Sequence, residues 1–352
     1  MSVFILIALI VLVLAVIYQI GRASDFATVL RGEGKVQAST NRMLAWSMLL
    51  MFPIGMYGVY ACHQALKDKL LPVSASVQGE QYDFMLEVTV IVTGIVFIIT
   101  HALLFWFAFR YQSTEKRKAY FYAHNNRLEI IWTTVPALAM ASLVAVGLRN
   151  WFNITSEAPR DAQIVEVVGK QFNWIIRYPG ADGVLGKRNF QLINNENNVL
   201  GLDTNDRKNM DDVILENGEV HVVVNRPVKF IIGSRDVIHD VGLPHFRYKM
   251  DAVPGITTSI WFTPRYTTAQ MKEMTGNPDF VYEIACDQMC GKGHYSMRGT
   301  VVVETAEEHA AWIAKQQPYL KGGQSPAPPP SAADTAAVPA ATPMPVKTIT
   351  KL

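Results

Sequence analysis

Two thiols, an imidazole and a thioether stand close together near the end of the chain, in the run Cys286-Asp287-Gln288-Met289-Cys290-Gly291-Lys292-Gly293-His294-Tyr295-Ser296-Met297. Thiolate and thioether sulfur select soft metals such as Cu(I), and imidazole suits copper in either oxidation state. Gly291 and Gly293 free the backbone to turn these side chains toward one point. Copper in an electron-transfer site is enclosed by protein, so at least one more donor must come from elsewhere. His239, in Ser234-Arg235-Asp236-Val237-Ile238-His239, is the candidate. On residue types alone three readings stay open: copper, a structural zinc held by two Cys and two His, and a disulfide. Zinc leaves Met297 without a purpose, and a disulfide leaves both histidines without one.

The elements that position these residues begin in a membrane. Half of the 352 residues are hydrophobic (50%), there are only three cysteines, and the net charge is +2. No disulfide framework holds such a chain, and no basic stripe marks it for nucleic acid. Stretches at about 2–20, 43–63, 84–109 and 130–148 are apolar enough for membrane helices, which need roughly 20 residues. The first reads as a retained helix rather than a secretory signal, because Met1-Ser2-Val3-Phe4 lacks a basic start. Arg22, Arg31, Lys35 and Arg42 follow the first stretch, and Arg110, Lys116, Arg117, Lys118 and Arg127 follow the third. Both loops belong in the cytoplasm by the positive-inside rule, so the N-terminus and everything after Trp151 lie outside.

From about residue 162 to 304 the pattern changes to short β-type runs such as Val220-His221-Val222-Val223-Val224 and Thr300-Val301-Val302-Val303, separated by Asn-Gly, Arg-Pro and Pro-Gly turns. An all-β antiparallel sandwich or barrel is expected. The Asn/Asp-rich stretch 179–212 does not match the spacing of an EF-hand loop and reads as a solvated insertion. Thr305-Ala306-Glu307-Glu308 predicts a capping box opening a short helix to about Lys315. The Pro/Ala-rich end predicts a flexible tail. The expected division is 1–66 and 67–151 as two pairs of membrane helices, 152–317 as the exported domain, and 318–352 as the tail.

Over residues 80–317 the chain resembles subunit II of the haem–copper cytochrome c oxidases. The resemblance rests on the complete 286–297 loop, on Glu129-Ile130-Ile131-Trp132-Thr133-Thr134-Val135-Pro136, on Gly169-Lys170-Gln171-Phe172-Asn173-Trp174, and on the stretch from His239 to Pro254-Gly255. It implies an α+β membrane protein: four N-terminal transmembrane helices followed by an all-β cupredoxin domain, a Greek-key sandwich carrying the binuclear CuA centre. By that resemblance Cys286 and Cys290 bridge two coppers, with His239 and Met297 completing one and His294 and the backbone carbonyl of Gln288 the other. A soluble or tethered c-type cytochrome, arriving freely or held nearby in a larger respiratory assembly, delivers electrons to this centre. The haems, and the reduction of O2 to water with proton translocation, belong to subunit I. The bacterial cytoplasmic membrane is the expected location, with the CuA domain on the periplasmic side.

Some positions depart from the family. Gln288 stands where a glutamate is usual, which removes the carboxylate associated with a magnesium site and leaves Mg²⁺ binding open. Phe172 replaces the surface tryptophan at which electrons arrive, while Trp174 keeps the second aromatic. Asp236 and Asp251 occupy acidic positions, but Arg235 and Arg247 lie close in sequence, so charge steering of a basic cytochrome should be weak. Glu129 matches a glutamate at the mouth of a proton path. The first two helices add to the family's usual pair, and Cys62 is expected to be an inert buried thiol.

Overall fold

The computed structural model describes residues 2–114 and 117–322, so the expected tail lies outside the described residues from 323 onward. Four helices, α1 (Ser2–Arg31), α2 (Glu33–Leu66), α3 (Val77–Arg110) and α4 (Asn126–Thr155), are long and apolar enough to cross a membrane. Each runs past its apolar window, because polar flanks such as those around Arg22 and Asp25 continue the hydrogen-bonded spiral once an apolar stretch has nucleated it. Only Gly32, at φ 85°, separates α1 from α2. Trp46 and Phe109 meet with ring centroids 4.7 Å apart, and Phe52 and Phe105 at 5.9 Å, while most of the large apolar side chains on these helices are exposed. A helix apolar on every side presents that surface to lipid. Cys62, expected to be buried, is exposed, since no described segment covers that face of α2.

The second compact unit, which takes in residues 72–85 and 145–322 of the described chain, holds ten strands. They are β1 (Gln163–Lys170), β2 (Asn173–Tyr178), β3 (Val213–Leu215), β4 (Glu219–Val223), β5 (Val228–Ser234), β6 (His239–Leu243), β7 (Tyr248–Ala252), β8 (Thr258–Phe262), β9 (Tyr282–Cys286) and β10 (Arg298–Glu304). One sheet has the order β3-β2-β1-β5-β8 and the other β4-β10-β9-β6-β7. Val165, Val167, Trp174, Ile176 and Phe230 of the first share one core with Val220, Val241, Tyr282, Ile284 and Val301 of the second, which makes the domain a sandwich. Two pairs, β1 with β5 and β4 with β10, are parallel rather than antiparallel as expected. Long arches connect them, as a Greek-key path requires.

The 179–212 insertion is not merely solvated. Val199, Leu200 and Leu202 pack on Val168, Ile175 and Ile214, covering the outer face of the first sheet. Its Asn and Asp side chains accept neighbouring backbone N–H groups, as Asp203 does from Asn205 (2.9 Å) and Asn194 from Glu196 (2.8 Å). These side-chain turns account for the composition. Arg177 anchors the insertion from β2: its guanidinium donates to Glu166 at 2.9 Å on β1, to Asn209 at 2.6 Å and to Asp212, all of them buried. Removing one partner of a buried ion cluster strands the others. Arg177→Met should therefore lower the unfolding free energy by roughly 3–5 kcal/mol. The melting temperature of the purified chain measures this, and an unchanged value would remove the anchoring role.

Helix α5 (Thr268–Thr275), which sequence patterning did not predict, and helix α6 (Ala306–Ile313) both open on capping boxes. In α6 the Thr305 hydroxyl accepts from Glu308 N at 3.2 Å and the Glu308 carboxylate from Thr305 N at 2.9 Å. A last turn, α7 (Tyr319–Gly322), brings Tyr319 and Leu320 against the insertion's small core, so packing continues as far as Leu320, inside the stretch expected as tail.

Candidate metal centre

Strand β9 ends at Cys286 and β10 begins at Arg298, so the loop between them is held at both ends by one antiparallel pairing. Within it Cys286 N donates to Met297 O at 3.0 Å, and a short turn at His294–Ser296 folds the thioether back under the thiols. Strand β6 lies beside β9, with Val241 opposite Cys286, and this register carries His239 to the same place. Cys286 Sγ is 3.7 Å from His239 Nδ1 and 3.2 Å from the carbonyl oxygen of Gln288. Cys290 Sγ is 3.7 Å from His294 Nδ1 and 3.8 Å from Met297 Sδ, and the two sulfurs are 3.8 Å apart. Among the described residues, His239, Cys286 and Cys290 form a cluster able to hold a metal ion.

The donor set suits copper. Two sulfurs 3.8 Å apart can both reach one metal through bonds of about 2.3 Å. No carboxylate is among the donors, and sulfur with imidazole is the soft combination copper favours. His239 and Met297 are fully buried and both thiols nearly so. Burial, and then the neighbouring Cys286, push the Cys290 thiol up to about 11. A bound cation has to displace that proton, so metal loading weakens as pH falls.

A bracket fixes the imidazole. Asp236 Oδ1 lies 2.8 Å from His239 Nε2, and Asp236 Oδ2 accepts the backbone N–H of Gln171 at 2.7 Å. Although burial opposes it, these bonds with those from His239 and Val237 hold the Asp236 carboxyl below its usual range. An ionised carboxylate can only accept, so the proton sits on Nε2 and leaves Nδ1, the atom facing Cys286, bare for a metal. The Gln171 side chain donates onward to the Cys290 carbonyl at 2.5 Å. Asp236→Asn should weaken copper affinity by about 10–100-fold, read by competition with a chelator. Equal affinity would mean that sheet packing alone orients the ring.

Phe172, at the turn between β1 and β2, is 39% exposed and rests on the loop glycines. A Cβ on Gly293 would come within 2.6 Å of its ring, and Gly291 sits at φ +136° with the same ring 3.1 Å from a Cβ. Side chains at these positions would lift Phe172 off the loop. Trp174 does not join that surface. It is fully buried, with its ring centroid 6.1 Å from that of His239. Its position on the inward face of β2, opposite Gly169, puts it in the core. Glu129 is far from the cluster in sequence and closes the start of α4, where its carboxylate accepts Asn125 N at 3.2 Å.

Sequence reasoning missed Gln171 and Asp240. Asp240 follows His239 on β6, is buried, and has Oδ1 without a hydrogen-bond partner among the described residues. Burial, then Asp251 opposite it on β7, push its carboxyl up to about 7. An Asp directly after the candidate histidine was the available signal; Gln171 carried none.

Two family models match the chain: cytochrome c oxidase subunit II, transmembrane domain, over residues 63–149, and cytochrome c oxidase subunit II, periplasmic domain, over residues 163–306. The alternative cytochrome c oxidase subunit 2 of Bradyrhizobium diazoefficiens is 34% identical over 237 residues, 67% of this chain and 80% of that protein. Cytochrome c oxidase subunit 2 of Cereibacter sphaeroides is 27% identical over 238 residues, 64% of this chain and 72% of that protein. The crystal structure of the periplasmic domain of subunit II of cytochrome oxidase (CoxB) of Bradyrhizobium japonicum is similar at a TM-score of 0.31 and 24% identity, covering 48% of this chain and all of that one. With two thirds of its length matched in this way, and with a soft-metal cluster where β6, β9 and the following loop meet, the chain belongs to the cytochrome c oxidase subunit II family.

Proposed function

We propose that this chain is the electron-accepting subunit of a cytochrome c oxidase, with a binuclear CuA centre held by His239, Cys286, the Gln288 carbonyl, Cys290, His294 and Met297. The observation that carries this reading is the convergence of two segments 47 residues apart: the His239 imidazole reaches the Cys286 sulfur, and every other proposed donor lies within 3.8 Å of one of the two thiols. When bound there, a copper pair supplies one-electron redox chemistry. The residues around it keep water out, hold the His239 tautomer through Asp236, and tie the Cys290 backbone to Gln171. Such bracing limits rearrangement at the donor atoms.

Phe172 gives a c-type cytochrome a half-exposed ring against the loop, and Trp174 stands behind it beside His239. The haems and the oxygen chemistry belong to a partner subunit in the same membrane, with residues 152–317 on the periplasmic side of a bacterial cytoplasmic membrane. The oxidase containing this chain should oxidise a reduced c-type cytochrome. Turnover with quinol and none with any c-type cytochrome would overturn the reading.

Glu129 is assigned proton uptake at the inner end of α4, where it also caps the helix. Gln at this position keeps an acceptor for Asn125 N–H and loses the acid. Glu129→Gln should slow oxidase turnover with copper content unchanged, measured together with proton uptake. Full turnover in this variant would leave only the capping role.

A further inference from the structure

The segment between α3 and α4 carries a pattern that the metal chemistry does not use. Residues 117–125 form neither helix nor strand, yet they place three aromatic rings in a row. Tyr120 is 85% exposed, Phe121 88%, and Tyr122 is also exposed. Large rings side by side on a surface mark contact with something other than water. From 117 to 128 the charge has one sign, with Glu115 and Glu129 just outside this stretch: no Asp or Glu occurs within it, and Arg117, Lys118 and Arg127 form no ion pair among the described residues.

The segment is tied to the ends of two membrane helices. Arg117 Nη1 donates to the carbonyl of Arg110, the last residue of α3, at 2.6 Å. Asn125 Oδ1 accepts Leu128 N at 3.1 Å in the first turn of α4. The transmembrane domain matched at 63–149 contains α3 and the first 24 residues of α4, so the rings sit where those helices leave the bilayer. Rings with one apolar and one wettable end favour that boundary, and neighbouring basic side chains are drawn to anionic lipid.

We propose that residues 117–127 bind anionic phospholipid headgroups of the bilayer that α3 and α4 cross. Tyr120, Phe121 and Tyr122 enter the interface, and Arg117, Lys118 and Arg127 pair with lipid phosphates. A protein groove shaped for three rings would have to bury the cations beside them, whereas the lipid boundary supplies an apolar layer and an anionic layer together.

Hydrogen exchange of the full chain in nanodiscs tests this. Amide exchange over 117–124 should slow by at least about fivefold when phosphatidylcholine discs are replaced by equimolar phosphatidylcholine and phosphatidylglycerol. High salt, or the double substitution Arg117→Gln with Lys118→Gln, should remove the difference, and inorganic phosphate added to phosphatidylcholine discs should not reproduce it. Equal exchange in both lipids would overturn the proposal. So would protection by inorganic phosphate alone, or protection that appears only when other oxidase subunits are added.

Discussion

A Cys290→Ser chain should insert and fold but hold at most one copper, and oxidase turnover with a reduced c-type cytochrome should fall by more than about 100-fold. Cys290 Sγ is the hub of the cluster, within 3.8 Å of Cys286 Sγ, His294 Nδ1 and Met297 Sδ. A serine hydroxyl is shorter and hard, and it stays protonated, so it could not take the place of a thiolate that two soft ions would share. The fold should survive because the loop is held by its own backbone bonds and by the β9–β10 pairing. Metal analysis, circular dichroism and turnover of the purified variant together check this. Copper content and turnover equal to the parent chain would show that Cys290 is not a shared ligand.

Gly169→Val should damage the same centre from a strand that supplies no donor. A Cβ at this position would lie 2.6 Å from His239 Cδ2 and 2.9 Å from Cγ. The β1 backbone cannot retreat, since Gly169 is paired with Trp174 on one side and Ser234 on the other, and its carbonyl accepts Arg235 N at 2.9 Å. The buried ring has to move instead, and Nδ1 turns away from Cys286. The overpacking costs about 1–3 kcal/mol of stability, while copper affinity should fall by about 100-fold or more. Gly233→Ala on β5 is the control, because a Cβ there meets only the tip of the Arg188 side chain at 3.5 Å. Chelator competition and melting temperature separate the two effects. Unaltered copper affinity in Gly169→Val would show that the ring is free to shift without consequence.

The dependence of the site on Gly169 was not legible in the sequence, and the reason is physical. Cys286, Cys290, His294 and Met297 announce themselves because one short loop carries them and their chemistry is unusual in combination. His239 could be nominated by type and by resemblance, but what brings it to Cys286 is the β6–β9 register, a long-range pairing that local periodicity does not encode. Gly169 and Gln171 act through tertiary contacts alone. The same limit explains Trp174, which is an inward core residue in the folded sheet, and the 179–212 insertion, whose few apolar residues were hidden among asparagines and aspartates. The parallel pairs β1–β5 and β4–β10 likewise follow from how the arches close. By contrast, the four membrane helices and the Thr305 cap were readable, since uninterrupted apolar runs and a capping box are local signals.

Copper stoichiometry combined with electron paramagnetic resonance, on the full chain purified in mild detergent, decides whether these residues hold a copper pair. Two coppers per chain are expected, with a mixed-valence signal in which one unpaired electron is shared by both ions. A single spectroscopically silent metal per chain, with Met297→Ala binding it as tightly as the parent chain, would contradict it and leave a structural zinc site in its place.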